Sequence, residues 1–252
     1  MNKAFDHENL RVYQGAIEFV AWLEGTVPSV KTGVCAYDHL ARASAGVPVN
    51  IAEASGKLSM NERRQFIDTA YGSSLECAAC LDVLSIAGCL SAAMAEEGKG
   101  RLSSIVSMLI GFRESTDREV REAHVSYEAG HGVAHRVWFD HERLDVYQKA
   151  LTFVRWCVGF GPSGSIVRSV AVALDKSATG VALNIAEGNG KFSAKDRCRF
   201  IGHARTAALQ AAATLDVLAV RQAQLRQNAM EGKALLADVV RMLVAWQKSL
   251  AP

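Results

Sequence analysis

The sequence repeats itself at a spacing of 134 residues. Phe5-Asp6-His7-Glu8 returns as Phe139-Asp140-His141-Glu142, and Asn50-Ile51-Ala52-Glu53 returns as Asn184-Ile185-Ala186-Glu187, with no gap between them. Roughly 45 of the positions from Phe5 to Ser115 are identical to their partners, several times what composition alone would produce. A chain of this kind is expected to fold as two copies of one unit. The pattern places copy one at 1–116, a linker at 117–137 and copy two at 138–252.

Each copy reads as helical. Only 4 prolines occur, alternating β-branched runs are scarce, and Ala, Leu, Glu, Arg and Gln recur at helical spacing. The first helix is expected from Leu10 to about Leu23, with Val12, Tyr13, Ala16, Ile17, Val20 and Leu23 on one stripe, and its repeat from Leu144 to Cys157. A second helix runs from about Thr32 or Cys35 to Ala54; Gly56, and Gly190 in the repeat, are expected to close it in a left-handed cap. Ser59 and Ser193 are expected to cap the third helix, which carries Phe66, Ile67, Ala70, Leu75, Ala78 and Leu81. The fourth holds Leu102, Ile105, Val106, Leu109 and Phe112, repeated as Leu236, Val239, Val240, Leu243 and Trp246. Four amphipathic helices with short links make a bundle, so the expected class is all-α, two tandem antiparallel four-helix bundles.

No apolar stretch reaches membrane-span length and the N-terminus has no signal-like core, so a cytoplasmic protein is expected. The 6 cysteines sit mostly in apolar helical patterns and read as reduced thiols. Cys77-Ala-Ala-Cys80 lies deep in the third helix, away from the strand-to-helix junction that redox pairs use, so packing is its expected role. In the linker, His131 and His135 are spaced to share a helix face, with His124 as a conceivable third ligand; an unligated linker is the preferred reading. There is no phosphate-binding loop, dinucleotide glycine fingerprint or Gly-x-Ser-x-Gly, and nothing sets a nucleophile beside a base. Neither a cofactor nor enzymatic activity is expected.

Two polar patterns remain. Asn50, Glu53 and Lys57, repeated as Asn184, Glu187 and Lys191, share one helical stripe. They are either a ligand site or a hydrogen-bonded network that fixes helix register, with Arg63 or Arg197 as partner. The second pattern is a division of charge. Residues 1–116 hold 10 Lys+Arg against 13 Asp+Glu, whereas residues 138–252 hold 15 against 9. Asn61, Gln65, Thr69 and Tyr71 are replaced in the repeat by Lys195, Arg199, His203 and Arg205, while Arg221 and Arg226 stand where the first copy has Ala87 and Ala92. With Lys191 and Arg197 these form the candidate nucleic-acid-binding set, a basic face suited to phosphates without base preference. The plainer alternative is a solvated face with scattered charges.

The segment Leu40-Ala-Arg-Ala-Ser-Ala-Gly-Val-Pro-Val-Asn-Ile-Ala-Glu, followed by Gly56, Phe66, Ala70 and Gly72-Ser-Ser-Leu-Glu76, resembles a bacterial group. That group is the four-helix-bundle proteins encoded in intervening sequences of large-subunit ribosomal RNA genes, including the accessory variability determinants of diversity-generating retroelements. The resemblance spans both copies, with departures: Ala54 and Ala182 replace the usual glycine and proline that Gly188 and Pro48 keep, and Gln210 replaces the residue type of Glu76. It implies a ring-forming homo-oligomer, which here would hold an even number of bundles if built only from covalent pairs. It also implies binding of RNA or DNA by a basic surface and association with a reverse transcriptase. A structural scaffold that binds proteins through its assembly is the alternative.

Overall fold

The computed structural model describes residues 6–27, 34–118, 138–160 and 168–250. These residues form eight α-helices: α1 Arg11–Thr26, α2 Cys35–Gly56, α3 Met60–Ile86, α4 Ala92–Arg118, α5 Asp145–Phe160, α6 Arg168–Asn189, α7 Ala194–Arg221 and α8 Arg226–Leu250. Short 3-10 turns precede α1, α5 and α8, and no strand occurs among the described residues, so the chain is all-α. The histidines His124, His131 and His135 lie outside the described residues.

Helix starts follow local chemistry. The Ser59 hydroxyl accepts the Glu62 N–H and the Ser193 hydroxyl accepts the Asp196 N–H, so each serine satisfies one of the unpaired donors of its helix. The ends differ from expectation. Gly56 and Gly190 do not adopt the left-handed conformation; the positive-φ glycine among the described residues is Gly88, at φ 71°, which closes α3 while the Cys89 N–H reaches back to the Leu84 carbonyl. α2 and α6 are instead ended by an arginine of the next helix: Arg63 Nη2 donates to the Lys57 carbonyl at 3.0 Å, and Arg197 Nη2 to the Lys191 carbonyl at 2.9 Å.

Helix contacts fall into two groups of four. α1 packs on α2 and α4, and α3 packs on both of those; α5 to α8 repeat the pattern. Within each group a tryptophan of the first helix lies over a glycine of the fourth: Trp22 covers Gly98 and Trp156 covers Gly232, with Leu81 and Leu215 closing the same gaps. In α1 the buried stripe is Val12, Ala16, Phe19 and Leu23; Ile17, expected on it, is 44% exposed.

The groups meet through α3, which packs on α5 and α6 as well as on its own neighbours. This explains its residue pattern. Leu75 and the run Cys77-Ala78-Ala79-Cys80-Leu81 are all buried, so α3 has little outward face, whereas α7 buries one ordinary stripe from Ile201 through Ala204, Ala208, Ala211 and Leu215 to Leu218. Small residues allow the close approach. A Cβ on Gly190 would collide with Leu75 and Tyr71, and a Cβ on Gly72 would lie 2.7 Å from Lys191 Nζ. Gly190 is therefore glycine because α3 presses on it.

Candidate nucleic-acid interface

α7 carries the basic face. Lys195, Arg199 and His203 are exposed and one turn apart, so their side chains emerge on one side of the helix. Arg221, at the end of α7, and Arg226, at the start of α8, are also exposed. Arg199 has 60% of its side chain in solvent, and its nearest counter-charge is Asp196 at 3.5 Å. Arg205 is half-buried on the flank of the stripe. The remaining two candidates point inward. Lys191 pairs with Glu187 at 2.9 Å, lies 4.5 Å from the centre of the Phe200 ring and faces Gly72 across the joint. Arg197 spends its guanidinium on the carbonyl that ends α6. The open basic surface therefore comprises Lys195, Arg199, His203, Arg221 and Arg226, with Arg205 at its edge.

The repeated polar stripe is divided by context. Asn50 and Asn184 each turn back one helical turn, donating to the Gly46 and Gly180 carbonyls at 2.7 Å. Lys57 and Lys191 each lie over a phenylalanine, Phe66 at 4.8 Å and Phe200 at 4.5 Å. The glutamates differ. Glu53 is exposed, whereas Glu187 is enclosed by α3 of the first group, and burial raises its carboxyl pKa against the pull of Lys191. Arg63 and Arg197 meet the backbone of this stripe at Lys57 and Lys191, through the carbonyl bonds that end α2 and α6.

The largest buried polar cluster sits in the joint between the groups, where sequence reading placed no site. Lys99 of α4, 8% exposed, lies 3.1 Å from Asp82, 2.9 Å from Glu96 and 3.0 Å from Glu142. Tyr147 of α5 donates its hydroxyl to Asp82 at 2.9 Å, and the Trp138 indole donates to Glu96 at 2.8 Å. Burial pulls the Lys99 pKa down, but Asp82 and Glu142 outweigh it and hold the ammonium above its usual range. Burial likewise raises Asp82 and Glu142, opposed in both by Lys99. Beside them His141 is fully buried between Phe139 and Tyr147, and burial, assisted by Lys99, lowers its pKa to about 3. A second mixed cluster joins α2 to α3: His39 Nδ1 lies 2.9 Å from Glu76, and bonds to Cys35 and Glu76 raise its pKa to about 9.

None of these clusters has the form of a metal centre, and among the described residues no group of three or more His, Cys, Asp or Glu is placed to hold an ion. The cysteines among them are free thiols, with Cys77 and Cys80 buried in the core. No described helix is long and apolar enough to cross a membrane. No curated protein and no solved structure matches the chain significantly. The model of the 23S rRNA-intervening sequence protein family matches residues 8–111, from the turn before α1 to the later part of α4, so the first repeat is similar to that family.

Proposed function

We propose that the protein is a non-enzymatic, cytoplasmic accessory protein whose second repeat binds RNA or DNA along its phosphates, in the service of a reverse transcriptase or another nucleic-acid enzyme. The observation that carries this reading is the open stripe of Lys195, Arg199 and His203, continued by Arg221 and Arg226, at positions that are uncharged in the first repeat. Cations on one exposed helix side displace condensed counterions from a nucleic acid, and they read no base edge from such a position. The match of the first repeat to the intervening-sequence family supports a small helical accessory protein.

A salt series tests the reading. Fluorescence anisotropy of labelled single-stranded RNA, single-stranded DNA and duplex DNA should give affinities that fall steeply with salt. Neutralising Lys195, Arg199 and Arg226 together should flatten the logarithmic slope by roughly 2 to 3 units and weaken binding at low salt. Absence of binding at low salt, or an unchanged slope in the triple variant, overturns the proposal.

A further inference from the structure

Cys35 and His39 lie one turn apart at the start of α2, and Glu76 follows 37 positions after His39, so their meeting is invisible in the sequence. The fold brings them together. His39 Nδ1 is 2.9 Å from Glu76 Oε1, and a side-chain hydrogen bond ties the same imidazole to Cys35. The expectation that nothing sets a nucleophile beside a base therefore fails here: a thiol, an imidazole and an orienting carboxylate are in contact. α6 holds the cysteine from another side, through Asp175 Oδ2, which accepts the Cys35 N–H at 2.9 Å. The thiol is half-buried, and 28% of the imidazole and 24% of the Glu76 side chain are in solvent, so a small reagent can reach the group.

The fold does not require the trio. At a spacing of 134 the second repeat carries Ser169, Ala173 and Gln210, yet it packs α6 on α7 as the first packs α2 on α3. Nor do the other cysteines share this setting. Burial pushes the Cys77 and Cys80 thiols well above their usual range, and burial with Asp175 does the same to Cys157. Cys89 and Cys198 are half-buried, but the Sγ of one meets the Ala87 carbonyl and that of the other the Gln247 amide, and neither contact supplies a cation. The titratable and charged neighbours of the Cys35–His39 pair are Arg42 on α2, Glu76 and Cys80 on α3, and Asp175 on α6. Bonds to Cys35 and Glu76 raise the His39 pKa to about 9, so the ring is an imidazolium at neutral pH, and the positive end of α2 adds to its field at the sulfur. The trio is not placed as the ligand set of a metal ion, which leaves the chemistry of the sulfur itself.

We propose that Cys35 is a thiolation site: its sulfur, paired with His39, exchanges with a low-molecular-weight disulfide and carries the resulting mixed disulfide. The thiol proton passes to the imidazole, the thiolate attacks one sulfur of the disulfide, and the new S–S bond forms as the old one breaks. The electron pair leaves on the departing thiolate, which takes the proton back from the imidazolium and goes free as a thiol. Cys35 is oxidised and the departing sulfur reduced, so the disulfide is the only oxidant. Glu76 keeps the ring turned to the sulfur throughout.

The full chain, reduced and then freed of reductant, is treated with oxidised glutathione at pH 7 and followed by peptide mass mapping of timed samples. Cys35 should gain a glutathionyl group before Cys89, Cys157 or Cys198, and dithiothreitol should remove it. His39→Ala should slow Cys35 at pH 7 by at least about tenfold but match wild type at pH 10, where the wild-type ring is neutral and an ordinary thiol is ionised. Glu76→Gln should fall between the two at pH 7. Both substitutions use residue types that the second repeat already carries at these positions, and circular dichroism checks that the variants stay helical. Cys35 reacting no faster than Cys89 and Cys198, or a His39→Ala chain that keeps the wild-type rate at pH 7, overturns the proposal. The comparison among cysteines needs no variant, so it decides the matter even where a variant fails to fold.

Discussion

Replacing Lys99 with methionine removes the one cation from a cluster of three carboxylates while keeping most of the side-chain volume. The ammonium is 8% exposed, and Asp82, Glu96 and Glu142 lie within 3.1 Å of it. Breaking a buried pair on one side leaves uncompensated charge, and the usual cost is about 3–5 kcal/mol. The repeat supplies an internal control. Lys233 makes the equivalent bond to Asp216, but 42% and 62% of the two side chains are in solvent, so Lys233→Met should cost about 0–1 kcal/mol. Both substitutions remove a Lys–Asp pair at the same repeat position, but Lys99 also meets Glu96 and Glu142, whereas Met230 stands at the position of Glu96 and the Lys233 pair is open to solvent. Urea titrations followed by circular dichroism should therefore separate them by at least about 2 kcal/mol. Acidity provides a second arm. Burial already raises Asp82 and Glu142, and Lys99→Met removes the largest effect that opposes it, leaving the Tyr147 hydroxyl on Asp82 and the Trp138 N–H on Glu142, so the folded variant binds more protons than the unfolded chain. The deficit of Lys99→Met should then shrink as the pH falls from 7.5 towards 5. Equal losses for the two variants, or a deficit that deepens on acidification, would refute a buried joint built on this cluster.

Gly98→Ala and Gly232→Ala should each cost about 1–3 kcal/mol by overpacking, because the added methyl would lie 2.7 Å from Trp22 or Trp156, whereas Gly111→Ala, with nothing within 4 Å, should stabilise α4 by up to about 1 kcal/mol in the same thermal melts. The raised pKa of His39 gives a contribution to stability that is fully present below pH 6.5 and lost as the pH climbs through about 9; Glu76→Gln should flatten the fall in Tm measured between pH 6 and 10. His141 titrates in the opposite sense. Its folded pKa of about 3 makes the unfolded chain the better proton acceptor, so its contribution is present above pH 6.5 and fades towards pH 3, and His141→Phe should reduce the loss of Tm between pH 7 and 4 relative to wild type.

The helices were legible because each repeat writes them twice in local terms. Ser59 and Ser193 announce α3 and α7, and the fourth-helix series from Leu102 to Leu109 and from Leu236 to Leu243 is buried as its spacing requires. Readings failed where a residue's role depends on the other repeat. Gly56 and Gly190 look alike in sequence, yet Gly190 is pressed by Leu75 while nothing lies within 4 Å of Gly56. Ile17 falls on a plausible inward stripe of α1 and faces solvent, while its counterpart Leu151 is covered. Lys191 and Arg197 count as cations in any charge tally, but a packed glutamate and a helix-ending carbonyl have already claimed them.

One signal did stand in the sequence. Lys99, Asp82 and Tyr147 are polar residues retained at the repeat spacing within helices whose other retained positions are largely apolar. Solvent-facing polar residues in diverged repeats drift freely, as the replacement of Asn61, Gln65 and Thr69 by cations illustrates. Lys99 and Asp82 did not drift in this way, and in the first repeat they are held by a partner. In the first repeat that partner is visible, since Glu142 and Tyr147 close over Lys99 and Asp82. Repeat-specific drift and repeat-wide retention thus distinguish two sides of α7: the cationic side, where charge was gained, and the side of Leu209 and Asp216, whose residues match Leu75 and Asp82 of α3.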